Sequence, residues 1–265
     1  MGSFFGIEGY ERTPEGYMSW QHIVFVTSLL LLMIALAVVF GRRNRSRSEK
    51  EKNKVLIISA IAIDLLEIAY VAFLAIRDSD PHTILLHLPL FLCTIQLITI
   101  PLAAFSRGRV KDAALDFVFI FGLLGAVAGT IGAGQNYACY PVLSVENVES
   151  GISHCLAGFT SLYIVISGMA SMKKRNIPIT FAILVGVCGL AYLADRLIPY
   201  NYMFLIRGDG TPYDVLYNLV NGNEVVYPIL VVVLFLAYIA AFYGVFYLVT
   251  AKAKKRKAPR ENTEE

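Results

Sequence analysis

The sequence predicts an all-α membrane protein built from seven transmembrane helices. Three observations carry this. The chain is 57% hydrophobic with a mean hydropathy of +0.61, above the roughly 45–50% apolar content of a soluble domain. Its apolar residues gather into runs long enough to span hydrocarbon, which needs about 20 residues. Its basic residues fall in alternate loops between those runs. The net charge of +3 is small; its distribution is what informs.

Residues 1–19 hold Glu8, Glu11, Arg12 and Glu15 in place of a basic leader. The first run, 20–41, is therefore read as a spanning helix and not as a cleavable signal. The others are 55–76, which contains Asp64 and Glu67, then 84–105, 113–134 with Asp116, 153–171, 177–198 with Asp195, and 225–250. The domain reading is an extracellular segment 1–19, a seven-helix domain 20–250 and a basic cytoplasmic tail 251–265. No internal repeat of the kind many transporters show is visible.

Lys and Arg mark the cytoplasmic side. Arg42, Arg43, Arg45, Arg47, Lys50, Lys52 and Lys54 follow the first run. Arg107, Arg109 and Lys111 follow the third, and Lys173, Lys174 and Arg175 the fifth. The tail adds Lys252, Lys254, Lys255, Arg256, Lys257 and Arg260, leaving only Arg12, Arg77, Arg196 and Arg207 on the other side. The N-terminus is expected outside and the C-terminus in the cytoplasm, in a multi-pass protein of the cell membrane. The tail's KAKKRK also reads as a patch for anionic lipid. The outer loops 135–152 and 199–224 exceed ordinary loop length and are expected to cap an outward-facing cavity.

The organising stretch is 84–105, ILLHLPLFLCTIQLITIPLAAF. It is expected to be a continuous cavity-lining helix, because polar side chains in lipid normally face protein or water. As a helix it would put Pro89, Cys93 and Gln96 on one face and turn His87 away. Its Cys93 would lie roughly 15 Å below the outer end at 1.5 Å per residue. With it at outer depth come His22, Glu67, Asn136, His154, Asp195 and Asn201. Glu67 in particular needs a partner, a proton or water. Cys139 and Cys155, both toward the outer face, are candidates for a disulfide, and Cys188 for plain packing. No zinc, calcium, phosphate-loop or nucleic-acid motif is present, so no cofactor, metal or nucleic-acid partner is expected.

WQH at 20–22, LPLFLC at 88–93, SHC at 153–155 and NYMFL at 201–205 resemble the YwaF-like integral membrane proteins of bacteria. That family is similar to eukaryotic transmembrane protein 164, a cysteine-dependent acyltransferase acting on lysophospholipids, and looks related to membrane hydrolases of fatty-acid esters. The resemblance makes Cys93 the candidate nucleophile and His154 the candidate base. The family often has a His two residues before the Cys; Phe91 stands there in this chain. A thiolate activated by imidazole is competent for acyl transfer. Gln96, Asn136 or Asn201 would serve as oxyanion donors and Glu67 or Asp195 would orient the His. The expected function is lipid modification, by acyl transfer or ester hydrolysis, on a membrane lipid or lysolipid. The alternatives are a small-solute or proton-coupled transporter, suggested by Asp64, Glu67 and Asp116, and a lipid-binding sensor without catalysis. A retinal protein is disfavoured, since 225–250 contains no Lys.

Overall fold

In the computed structural model the described residues are 2–132 and 134–257, without the side chains of 2, 3 and 253–257, and every regular element among them is a helix. The chain divides into two compact units, Met1–Met203 and Phe204–Glu265.

The first unit contains α1 (Gly2–Phe5), α2 (Trp20–Asn44), α3 (Glu49–Arg77), α4 (Thr83–Leu86), α5 (Gln96–Phe105), α6 (Gly108–Ile131), α7 (Gly134–Cys139), α8 (Val145–Ile166) and α9 (Ile177–Leu197). Side-chain caps begin three of them. Ser19 accepts from the N–H of His22 at the start of α2. Ser48 and Glu51 form a capping box for α3, and Ser144 accepts from the N–H of Asn147 for α8. Each satisfies an amide that a helix start leaves open.

The core joins α3, α5, α6 and α8 through Leu56, Ile63, Ile100, Ala114, Val118, Ala157 and Tyr163. Small residues let α6 and α8 approach closely. A Cβ added to Gly122 would lie 2.9 Å from the carbonyl oxygen of Ala157, and one on Gly158 only 2.4 Å from the Cβ of Ala126. Such close backbone approach is a characteristic way for helices to associate in lipid.

The second unit contains α10 (Asp214–Leu219) and α11 (Val226–Lys257). Tyr227 donates from its hydroxyl to the carbonyl of Phe204 at 2.7 Å, and Tyr213 stacks on Phe204. The anionic-lipid reading of KAKKRK falls on 252–257, whose side chains beyond Lys252 lie outside the described residues.

Five helices are long and apolar enough to cross a membrane: Trp20–Asn44, Glu49–Arg77, Gly108–Cys139, Lys174–Leu197 and Val226–Lys252. Two of the seven expected runs fall short of that description. The stretch 84–105 is not one helix: α4 stops at Leu86, residues 87–95 are irregular, and α5 starts at Gln96. Pro89 explains the stop, because it has no N–H to donate and forces the residue before it out of helical geometry. Pro101 is carried inside α5, where it leaves the carbonyl of Leu97 without its helical donor. The expected loop 135–152 is also corrected. α7 occupies part of it, and α8 starts at Val145, earlier than the expected 153. Glu146, Asn147 and Glu149 in its first turns keep it from reading as apolar.

The cysteines are all free, so the Cys139–Cys155 bridge does not form. Cys188 is buried with its sulfur 3.6 Å from that of Met203, as packing.

Candidate functional site

The break in 87–95 and the early start of α8 together build the site. Cys93 sits in the turn that leads into α5. Within that turn Ile95 N donates to Phe91 O at 2.9 Å, and Phe91 N donates to Thr94 Oγ1 at 3.1 Å. His154 lies well inside α8, because that helix begins at Val145. Nine residues at 1.5 Å each lower it by about 13 Å from the helix start, which closes the depth gap implied by a helix starting at 153.

Cys93 and His154 line one small pocket of about 30 Å³ with Ile63, Glu67, Thr94, Leu97 and Ser153. The imidazole is fixed from two sides. Its Nδ1 lies 2.6 Å from the carbonyl oxygen of Ser150 and 3.3 Å from the Ser150 hydroxyl. A carbonyl only accepts, so Nδ1 carries the proton and Nε2 is left with its lone pair. The ring lies against α6 at Gly129, where an added Cβ would come within 2.1 Å of Nε2. Only glycine admits the imidazole there.

A carboxyl pair adjoins this ring. Glu67 lines the small pocket beside His154, and Glu149 lies close enough to both to interact with them electrostatically. Ser153 donates from its hydroxyl to Glu149 Oε1 at 2.5 Å. His87 Nδ1 lies 4.0 Å from Glu67 Oε1; His87 lines a larger groove and not the small pocket of Cys93. Glu67 and Leu97 also line that groove, of about 480 Å³, with Asp64, His87 and the apolar side chains of Ile68, Val71, Ile84 and Leu88.

The remaining expected site residues lie elsewhere. Gln96 is buried beside the turn and accepts from Thr99 Oγ1 at 3.1 Å, but it does not line the small pocket. The one-face argument for Pro89, Cys93 and Gln96 falls with the helix it assumed. His22 is buried in the first turn of α2, its ring against Tyr137 at 4.1 Å between centroids and Tyr17 at 5.2 Å, and its Nδ1 accepts from Met18 N at 3.2 Å. Asn136 lies in α7, where its carbonyl accepts from Tyr140 N. Neither lines the pocket.

Asp195 and Asn201 are buried on the other side of the break. Asp195 Oδ1 accepts from Tyr202 N at 2.6 Å. The Tyr202 hydroxyl in turn donates to the carbonyl of Leu85. The Tyr202 ring packs on Phe91, with centroids 5.2 Å apart. Asp195 therefore holds the loop that ties down the broken segment, and does not touch His154. Phe91 fills its position as packing for Tyr200 and Tyr202.

Residues 5–15 lie against the C-terminal end of α3 and the N-terminal end of α8. Arg77 pairs with Glu146 at 2.6 Å and donates to the carbonyl of Phe5 at 3.1 Å. Tyr10 donates to Glu146, and Glu15 accepts from Val142 N at 2.8 Å.

A family model, described as the TMEM164 family, matches residues 17–246. The chain belongs to the TMEM164 family. The match covers every element of the pocket, from α3 through α8, and it makes the chain a membrane protein of that family. No curated protein and no solved structure matches it. TMEM164-family membership supports the fold and the membrane setting; the chemistry at Cys93 has to be argued from the pocket.

Sequence reasoning missed Glu149, Ser153, Ser150 and Thr94. The run Ser144 to His154 was readable as a helix start, with Ser144 as cap and Glu146 in the first turn. That reading alone would have put Glu149, Ser150, Ser153 and His154 on the same helix.

Proposed function

We propose that the protein is a lipid-modifying enzyme of the cell membrane that acts through a Cys93–His154 pair, by acyl transfer or lipid ester hydrolysis. The observation that carries the reading is a thiol and an imidazole from separate elements lining one pocket, with the imidazole in the tautomer that has Nε2 ready to accept a proton. In the proposed sequence Nε2 takes the thiol proton as the sulfur attacks an ester carbonyl. The carbon–sulfur bond forms and the carbonyl electrons move to oxygen. Collapse expels the alkoxide, which receives the proton from His154. An acceptor hydroxyl or water then releases the acyl group from the thioester. The substrate class is a membrane lipid or lysolipid, and the basic tail adds affinity for anionic lipid.

The membrane topology belongs to the same proposal: seven crossings, N-terminus outside, C-terminus in the cytoplasm. The broken segment 83–105 and α8 would be the two crossings that lack an unbroken apolar helix. Irregular backbone at membrane depth is tolerated where it is buried in protein or lines a cavity.

Labelling with a lipid-like iodoacetamide tests the reading. Wild type is expected to label at Cys93 and Cys93→Ala to lose the label. Equal labelling of the two would remove the case for a reactive thiol there.

Proton-coupled transport is the second reading, favoured by Asp64, Glu67 and His87 along the larger groove. Solute uptake into proteoliposomes that survives Glu67→Gln unchanged would count against it.

A further inference from the structure

We infer that the groove between α3 and the broken segment holds the hydrocarbon chain of the acylating lipid ester, with the ester end at Glu67 and Leu97. The inference rests on the acyl-transfer reading above and specifies where its substrate lies. Size separates the two cavities. The pocket at Cys93 is about 30 Å³, room on the order of one water molecule. It can take the reacting carbonyl and not a lipid. The groove is about 480 Å³, within the range of roughly 300–1,000 Å³ usual for ligand sites. Glu67 and Leu97 line both cavities, so a chain lying in the groove ends beside the thiol pocket.

The polarity of the groove is sorted along its length. On α3 it takes Asp64 and Glu67, then Ile68, Val71 and Ala72, all on one helix face. At 1.5 Å per residue that face runs about 12 Å. Its polar end coincides with the thiol pocket, which α3 lines through Ile63 and Glu67. His87 joins the same end, its Nδ1 4.0 Å from Glu67 Oε1. The rest of the wall is apolar, with Ile84 and Leu88 added from the broken segment. An uncharged ester with a hydrocarbon tail matches this order. A free carboxylate or phosphate does not, because Asp64 and Glu67 set like charge against it. The groove is also open to the bilayer: Ile68 and Ile84 are more than half exposed, and α3 is long and apolar enough to cross a membrane. A second apolar groove, about 260 Å³ and lined by Leu32, Met33, Cys155 and Phe159 among others, shares no residue with the thiol pocket. It offers walls for a chain without bordering the reaction site.

The test follows Cys93 in the full-length protein in proteoliposomes. The thiol is acylated by a long-chain p-nitrophenyl ester or by p-nitrophenyl acetate, and alkylated by iodoacetamide as a check that the site is folded. Ala72 is exposed, so Ala72→Trp fills the groove without entering the core. It is expected to slow long-chain acylation about 10²-fold, the cost of misplacing the reacting carbonyl by an ångström. Acetylation and alkylation should stay within a few-fold. Leu32→Trp, in the second groove, is expected to change none of the three rates. Should Ala72→Trp lose alkylation as well, Ile84→Trp, also at an exposed position, takes its place. An independent reading uses wild type and a long-chain ester with a diazirine near its end, which is expected to crosslink at Val71, Ala72 or Ile84. Equal slowing of the long and acetyl esters, slowing of neither, or crosslinks confined to the second groove overturns this placement alone. So does a groove variant that acylates normally and fails only in passing the chain to a lysophospholipid. A wild type that alkylates at Cys93 but never carries an acyl group there overturns the acyl-transfer reading, and this inference with it.

Discussion

Two regions bury carboxyl groups among the membrane helices, and they do so in opposite ways. Asp116 on α6 is completely buried, and its oxygens are claimed by protein donors: Met172 N at 2.8 Å, Asn176 Nδ2 at 2.7 Å and Ser171 Oγ at 3.4 Å. It pins the segment between α8 and α9. Glu67 lies near another acid, Glu149, faces His87 at 4.0 Å, and borders two cavities. A carboxyl satisfied by backbone and amide donors is a structural anchor. A buried carboxyl that borders a cavity beside an imidazole and a thiol is a candidate for chemistry. Sequence alone offered both acids to the transporter alternative and only Glu67 to the catalytic site, because depth is legible in a sequence and partners are not.

This contrast can be broken from either side. The largest expected effect is chemical: His154→Gln should reduce acylation of Cys93 about 10²–10⁴-fold, the usual worth of a general base, with thermal stability changed little. A stopped-flow p-nitrophenol burst measures it, and an unchanged burst would remove His154 from the mechanism. Next, Asp116→Ala should cost about 1–3 kcal/mol for each of the buried donors at Met172 and Asn176 left without an acceptor, read by thermal unfolding in micelles. Alkylation of Cys93 in the folded fraction should be unaffected; a selective loss of reactivity would mean the two regions are not independent.

Smaller effects sharpen the boundary of the site. Tyr202→Phe deletes the hydroxyl that holds the carbonyl of Leu85 and is expected to cost about 1 kcal/mol. It should also raise hydrogen exchange in 87–95 without altering α6, and uniform protection would show that the loop does not hold the break. The smallest effect is at the N-terminal cover over α3 and α8. Burial, then the hydrogen bond to Glu146, pushes the Tyr10 hydroxyl above its usual range. The neutral phenol is therefore favoured in the folded state. Its contribution is complete below about pH 10, where unfolded tyrosine begins to ionise, and drains away as pH rises further toward the folded value. Tyr10→Phe should lose less stability than wild type between neutral pH and pH 11, and identical alkaline profiles would contradict this.

The helical segments were legible because lipid imposes length and apolarity on anything that crosses it. The site was less legible for the same reason. The two runs that do not form an unbroken apolar helix of spanning length, 83–105 and 145–166, are the ones that hold Cys93 and His154. Hydropathy passed over Pro89 as one residue in an apolar run, although its missing N–H ends α4. It also read the polar stretch before His154 as loop, although Ser144 caps a helix there. Cys93, His154 and Glu67 could be picked out because thiol, imidazole and carboxylate are conspicuous at membrane depth. Glu149 could not, since it was assigned to the wrong element. His22, Asn136, Asp195 and Asn201 shared the depth and not the place.

The most direct test of the account is mass spectrometry of the protein after brief exposure to a long-chain acyl ester in proteoliposomes. The account predicts one acyl thioester, at Cys93, that is lost in Cys93→Ala and decays when a lysophospholipid or water accepts the chain. An acyl group found on another residue, or persisting unchanged in Cys93→Ala, would contradict it.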